Sequence, residues 1–456
     1  MKLFNTLTRR KDEFVPIQPG KIGLYCCGPT VYNFAHIGNL RTFLFEDFLR
    51  RGLEFLGFDV TQVMNITDVG HLTSDSDEGE DKMEKGAKRE GKTVWEIAQF
   101  YTDAFMSDMQ ALNILPAHHF PRATDHIAEM ITQIQQIEAN GLTYQSGGNV
   151  YFDTSKLNDY GKLAQLDKQA LQAGARIEVD PNKKNPHDFV LWFTDSKHGN
   201  QAMQWDSPWG RGFPGWHIEC SAMSMKYLGK QFDIHCGGID HIPVHHTNEI
   251  AQAEGATGQK PWVNVWMHGE FLLIDQGKMA KSGDNFLTLQ RLVEKGYHPL
   301  DYRYFCLQAH TRKELNFTWE GMDAAKNARR RLNDKVLALP DGGAIDASSL
   351  ERFKAVLADD LNMPEALAMV WKLLDDSTVP DADKRATILK MDQVLGLNLG
   401  QVVAVEIPDA VRELVKQREQ ARADKNWALS DQLRSDIEKA GFSVKDTGDG
   451  SVITQL

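Results

Sequence analysis

The chain has 456 residues, 42% of them hydrophobic and 25% charged, with a formal net charge of -12. This is ordinary soluble-protein composition with room for more than one core, and its acidity argues against a protein that coats nucleic acid nonspecifically, because phosphate neutralisation needs clustered Lys and Arg. The opening MKLFNTLTRRKDEFV has no signal-peptide core, no apolar run reaches the ~18 residues of a membrane helix, and five scattered cysteines make no disulfide framework, so a cytoplasmic protein with reduced thiols is expected.

In chain order, KIGLYCCGPTV predicts a short strand, Ile22 to Cys26, stopped by Gly28-Pro29. NLRTFLFEDFLRRGLEFLGF then has the period of an amphipathic helix, and DVTQVMNIT reads as a second strand. Strand, helix, strand predicts a parallel α/β unit that binds ligands beyond the carboxyl ends of its strands. SDSDEGEDKMEKGAKREGKT is polar and reads as a surface excursion near that crevice.

From Leu115 to about Lys184 the character changes to a helix from Ala123 to about Ala139, the hairpin-like LTYQSGGNVYFD and a polar stretch ending EVDPNKKNPHD. This is expected to be an insertion between the halves of the α/β domain. FVLWFTDS, GWHIECSAMSMKYLG, QFDIHCGG and WVNVWMHGEFLLID restore the alternating chemistry. Past residue 300 the pattern is mostly helical, with ALPDGGAID as a linker. The end pairs one basic helix, REQARADKNWALSDQLRSDIEKAG, in which Leu429, Leu433 and Ile437 recur, with a hairpin candidate, FSVKDTGDGSVITQL.

HCGGIDHIPVHHTNE, residues 235–249, crowds four histidines, a cysteine, an aspartate and a glutamate around paired glycines. Zinc takes thiolate, imidazole and carboxylate ligands, so the density favours a metal site. His245 and Glu249 fall on one helical face and can grip one ion, but His241 and His245 share the same spacing. Spacing alone does not choose between Cys26 and Cys27, or among His235, Cys236 and His241.

AHIGNLRT at 35–42 and KMAKSGDN at 278–285 resemble the HIGH and KMSKS motifs of class I aminoacyl-tRNA synthetases. With YCCGPTVYN, NITDVG, PGWHIECSAM, FDIHCGGIDHIPVHHTNEIAQAE and NMPEAL, the chain resembles the cysteinyl-tRNA synthetase family nearly end to end.

The resemblance implies a Rossmann-like parallel-sheet catalytic domain with a connective insertion, followed by helical and small C-terminal RNA-binding domains. Its boundaries would be 1–114 and 201–265 for the two catalytic halves, 115–200 for the insertion, and 266–330 for the KMSKS-type loop and stem-contact region. A helical bundle over 331–407 and an anticodon-binding tail over 408–456 would follow.

The implied chemistry is cysteine–tRNA ligation, with L-cysteine, ATP with Mg2+, and tRNA(Cys) as partners, in a monomer. One zinc per chain would sit on Cys27, Cys220, His245 and Glu249. Gly28, Thr67, Trp216 and His235 would hold cysteine. His36, Gly38, Asn39, Asp240, Lys278, Lys281 and Ser282 would bind ATP, with His36, Asn39, Lys278 and Lys281 catalytic. Two departures stand out: Asn39 replaces the second histidine of HIGH, and Ala280 the serine of KMSKS. The basic runs RRRLNDK and RELVKQREQARADKNW, with Trp427, suit an RNA arm. A relative that passes activated cysteine to an amino sugar would share the first motifs and lack the tail.

Overall fold

The apolar run of KIGLYC forms the strand Lys21–Cys26, and Ile22, Leu24, Tyr25 and Cys26 are all buried, as expected when both faces of a parallel sheet are covered. The computed structural model describes residues 1–70, 82–165, 181–194, 202–274, 277–278, 286–399, 408–447 and 450–455. The chain divides into two units, Met1–Leu399 and Gly400–Leu456.

The first unit centres on a four-stranded parallel sheet in the order Val263–Gly269, Phe232–Gly238, Lys21–Cys26, Asp59–Met64. Lys21–Cys26 pairs with Asp59–Met64 on one side, and Leu24, Tyr25 and Cys26 face Ile234, His235 and Cys236 on the other. The chain leaves the first strand toward one edge and later returns on the opposite side. This makes a switch point between Lys21–Cys26 and Phe232–Gly238, where a crevice opens beyond the carboxyl ends.

The helix Ile37–Phe55 joins the first two sheet strands, and its buried face, which includes Leu40, Leu44, Phe48 and Leu49, covers the sheet. It begins two residues before the predicted stretch because His36 and Asn39 cap it reciprocally: His36 Nδ1 accepts the Asn39 N–H at 3.0 Å, and Asn39 Oδ1 accepts the His36 N–H at 3.3 Å. Of the polar excursion, Lys82–Glu90 is helical and anchored by buried Met83, while 71–81 lie outside the described residues.

The inserted region has the helix Ile127–Ala139, entered by a 3-10 turn at Ala123–His126, and an antiparallel sheet. Its hairpin Thr143–Ser146/Asn149–Phe152 turns on Gly147 and Gly148, both at positive φ, the geometry that two-residue hairpin turns require. Phe189–Phe193 and Phe213–Pro214 complete this sheet. FVLWF therefore belongs to the inserted sheet, which extends past the expected limit at residue 200. An unbroken apolar run reads alike in either kind of sheet.

Helices Trp216–Leu228 and His245–Thr257 flank the second half of the parallel sheet. A three-stranded sheet of Gly277–Lys278, Leu272–Ile274 and Leu315–Phe317 follows, then the helices Pro299–Leu307, Trp319–Leu337, Ala347–Leu357, Met363–Asp375 and Asp381–Leu395.

The second unit contains helices Asp409–Ala423 and Trp427–Lys439 and the hairpin Phe442–Thr447/Gly450–Gln455, around Val411, Val415, Ile437, Phe442 and Val444. The single basic helix expected here is two. Lys425 takes a positive φ of 59° and Asn426 caps the new helix by accepting from the Leu429 N–H. Among the described residues, no helix is long and apolar enough to cross a membrane.

Candidate active site

At the switch point lies a cavity of about 370 Å³. Cys27 and Gly28, Asn65 and Thr67, and Gly238 and Asp240 reach it from the exits of three sheet strands. His36, Gly38 and Asn39 enter from the start of Ile37–Phe55, Trp216 and Cys220 from Trp216–Leu228, and His245 from the first turn of His245–Thr257.

The strand exits are sewn together. Thr67 N–H donates to Pro29 O at 3.0 Å and Val31 N–H to Thr67 O at 3.2 Å. Gly28 has to be glycine here, since a Cβ on it would meet the Asn65 carbonyl oxygen at 1.7 Å.

At the cavity floor, the donor atoms of Cys27, Cys220, His245 and Glu249 lie within 4.8 Å of one another, all buried. A second set, Cys27, His235, His246 and Glu249, meets the same limit. Three of the first four residues line the cavity, whereas of the second only Cys27 does. His245 Nε2 meets Glu249 Oε1 at 2.9 Å and His235 Nε2 meets Glu249 Oε2 at 2.8 Å. On its other side His245 Nδ1 lies 2.8 Å from His217 Nδ1. His246 bridges Cys27 Sγ, at 3.2 Å, to His268 Nε2, at 2.7 Å.

The charge balance is that of a cation hole. Burial opposes ionisation of Glu249, yet His235 and His245 outweigh it and bring its pKa to about 2. Burial likewise opposes protonation of His245, but Glu249 and Cys220 outweigh it and raise its pKa to about 10. Cys27 is pushed up by burial and by donating to Cys220, while that same bond draws Cys220 down. A positive charge is thus favoured between two thiols, an imidazole and a carboxylate, the ligand chemistry that zinc prefers.

The expected residues divide between the cavity wall, where Trp216, His36 and Asn39 stand, and the layer behind it. His235 is behind Glu249, wholly buried, its ring stacked on Trp266 at 4.5 Å, and it does not line the cavity. Cys26 and Cys236 face each other inside the sheet. Asn39 spends its carbonyl on the helix cap, while the cap makes His36 Nδ1 an acceptor, so the neutral ring carries its proton on Nε2. Trp216 packs against His245 with centroids 4.5 Å apart. Lys281, Ser282 and Ala280 lie outside the described residues, and only the backbone of Lys278 falls within them.

Sequence reasoning assigned nothing to Asn65, His217, Glu219, His246 or His268. All five stood inside quoted stretches, but their partners are distant in sequence. Arg41, one turn into the capped helix, donates to the Glu270, Phe271 and Lys313 carbonyls and so fixes the segment after Val263–Gly269, where Glu270, Phe271 and Leu272 line the cavity.

The fold and its switch-point cavity are those of a class I aminoacyl-tRNA synthetase catalytic domain. The family profile "tRNA synthetases class I (C) catalytic domain" matches residues 13–327, and "Cysteinyl-tRNA ligase anticodon binding domain" matches 404–451. A methionyl-tRNA synthetase of Mycobacterium tuberculosis in complex with methionyl-adenylate shares the fold at a TM-score of 0.56 and 17% identity, over 83% of this chain and 90% of that one. A leucyl enzyme, from the ternary complex of Agrobacterium radiobacter agnB2 LeuRS, shares it at 0.59 and 10%, over 85% of each chain.

The chain belongs to the cysteine–tRNA ligase family. The cysteine–tRNA ligase of Treponema denticola is 50% identical over 98% of both chains, and cysteine–tRNA ligase 1 of Burkholderia lata is 52% identical over 99% of this chain and 96% of its own.

Proposed function

We propose that this chain selects cysteine with the help of one zinc ion held by Cys27, Cys220, His245 and Glu249, activates it with ATP, and passes it to tRNA(Cys). The placement of Cys27, Cys220 and His245 in the wall of a cavity that also meets a capped helix N-terminus carries this reading. Of the rival donor set only Cys27 lines that cavity. When bound there, zinc supplies an affinity for soft sulfur that a hydroxyl does not share. That matters because an apolar pocket separates near-isosteres by only about 1–3 kcal/mol.

The protein's own groups do the rest by positioning. Gly28, Thr67 and Trp216 enclose the substrate's body beside the metal-binding groups. The cysteine carboxylate attacks the α-phosphorus of ATP, brought with Mg2+, and forms cysteinyl-adenylate and pyrophosphate. His36 Nε2–H, the Gly38 N–H and the side-chain amide N–H of Asn39 meet phosphate oxygens, and the Gly238–Asp240 exit receives the adenosine. In this reading Lys278 and Lys281 meet the charge of the leaving pyrophosphate, and Ser282 contributes to binding ATP. The terminal adenosine of tRNA(Cys) then takes the cysteinyl group, while the second unit reads the anticodon. A cytoplasmic monomer is the expected state.

Elemental analysis should find one zinc per chain, and exchange of labelled pyrophosphate into ATP should require cysteine and ignore serine. Cys220→Ala should lower both zinc content and exchange; full zinc with normal exchange would overturn the ligand assignment.

A further inference from the structure

One wall of the cavity carries a hydrogen-bond chain whose direction is fixed at its first link. The Gly28 N–H, which can only donate, meets Asn65 Oδ1 at 2.9 Å. That contact orients the amide, so Asn65 Nδ2 is the atom that donates to Thr67 Oγ1, at 3.0 Å. Thr67 Oγ1 lies 2.9 Å from Glu219 Oε2 and donates its proton there. A hydroxyl owns one proton and two lone pairs. The proton goes to Glu219 and one lone pair to Asn65, so Thr67 has only an acceptor left to offer the cavity that it lines.

Glu219 does not line the cavity. It stands behind Thr67 with no exposed surface, on the same helix that delivers Cys220. We propose that Glu219 is a positioning residue for the amino-acid substrate: by accepting the Thr67 proton it turns the acceptor side of that hydroxyl toward the cavity, where it selects the substrate α-ammonium. The inference rests on the cavity being the amino-acid pocket.

The chemistry demands such a group. An amino acid brings a carboxylate, which has to stay free to attack phosphorus, and an ammonium, which needs acceptors. A threonine hydroxyl alone accepts or donates with equal ease. A carboxylate one hydrogen bond behind it removes the choice and adds attraction for a cation in a poorly solvated site.

Glu219→Gln keeps the size but lets an amide N–H donate to Thr67, freeing the hydroxyl proton to face the ammonium. The test compares cysteine with 3-mercaptopropionate, which keeps the thiol and carboxylate and lacks the ammonium. Both are measured on the metal-loaded enzyme, its zinc content checked, as the KM for cysteine and the inhibition constant of the analogue in pyrophosphate exchange. Glu219→Gln should weaken cysteine by about tenfold to a hundredfold, with kcat largely kept because the contact serves ground state and transition state alike. The analogue should bind as it does to the unaltered protein.

Thr67→Val, which deletes the hydroxyl and keeps the shape, should show the same selective loss. The double variant should be no worse than the poorer single one, as for residues acting in series. Where Glu219→Gln loses metal or fold, Thr67→Val decides. Equal losses for cysteine and analogue, or no loss for either, overturn the positioning role. Unaltered protein that binds no cysteine overturns the pocket reading itself, and this inference with it.

Discussion

Gly28 and Asn65 stand at the exits of neighbouring strands so close that a methyl group on the glycine would sit 1.7 Å from the asparagine carbonyl oxygen and 3.1 Å from the Met64 side chain. The Gly28 N–H also donates to the Asn65 side chain at 2.9 Å. The close approach is what lets Cys27 and Thr67 share one cavity.

Gly28→Ala should therefore push the strand exits apart. Overpacking of a tight core typically costs about 1–3 kcal/mol, so thermal unfolding should shift down by a modest amount. Cysteine-dependent pyrophosphate exchange should fall far more than stability does, because the displaced groups are those of the pocket. A variant that loses stability but exchanges normally would show that the contact only supports the fold.

His217 tests the arrangement around Cys27, Cys220, His245 and Glu249. Its Nδ1 lies 2.8 Å from His245 Nδ1, while His245 Nε2 faces Glu249. An imidazole that ligates through Nε2 keeps its proton on Nδ1 and needs an acceptor there, which His217 provides. His217→Phe preserves the ring and removes the acceptor, so zinc affinity measured by chelator competition should drop about 10- to 100-fold. Unchanged affinity would remove His217 from the support of His245 as a ligand.

The strand, helix, strand opening was legible because hydrophobic period reports burial, and Lys21–Cys26, Ile37–Phe55 and Asp59–Met64 follow that period. The break at Lys425 was not, because a positive φ and an asparagine cap leave no trace in hydrophobic spacing. In the site, the spacing of His245 and Glu249 offered them as one pair among alternatives, and only the family resemblance singled out Cys27 and Cys220. His217, Asn65 and Glu219 act through partners that the fold brings from afar, Glu219 on Thr67 among them. No local pattern announces such partners.

Arg303 ties the helix Ile37–Phe55 to later elements. Its guanidinium, without exposed surface, meets Asp47 at 2.5 Å and the carbonyls of Leu395, Leu112 and Asn113 at 2.6, 3.0 and 3.1 Å. Arg303→Met should strand the Leu395 and Leu112 carbonyls, while Asn113 O keeps Arg51, and weaken the hold on a buried carboxylate. The expected loss is about 3 kcal/mol, near the low end for a broken buried pair because Asp47 keeps Arg51 at 2.8 Å. Chemical denaturation of the full chain measures it; a loss below that of an ordinary surface change would remove Arg303 from this role.

In the second unit, Asp446 accepts from both terminal nitrogens of Arg418, at 2.7 and 2.9 Å. The Arg418 hydrogen bond, against a smaller burial effect, lowers the Asp446 pKa from 3.8 to about 2. A carboxyl with a depressed folded pKa contributes stability above its unfolded pKa and loses it as pH falls through the folded value. The protection of amides within 409–447, taken relative to the intrinsic exchange rate at each pH, should therefore fall as pH drops from 3.8 toward about 2. Asp446→Asn should exchange faster already at neutral pH and lack that window; an unchanged acid response would assign it to other carboxyls.

Trp427 opens the helix Trp427–Lys439 with 57% of its surface exposed, and the Arg422 guanidinium lies 5.7 Å from its ring. Burial would be the ordinary fate of so large an apolar group, so an exposed indole beside a cation is suited to stack on an unpaired base. Its residue number falls inside the stretch matched by the anticodon-binding profile. Base stacking is worth about 1–3 kcal/mol by alanine substitution, so Trp427→Ala should lower kcat/KM for tRNA by roughly fivefold to a hundredfold. Cysteine-dependent pyrophosphate exchange, which needs no RNA, should be untouched. Loss of charge alone would weaken binding equally for altered anticodons and change its salt dependence, whereas loss of a stacked base should leave the salt slope in place. Aminoacylation of RNAs differing only in the anticodon, at two salt concentrations, therefore separates a stacking platform from a generic basic face, and an unchanged kcat/KM would assign the exposed indole neither role.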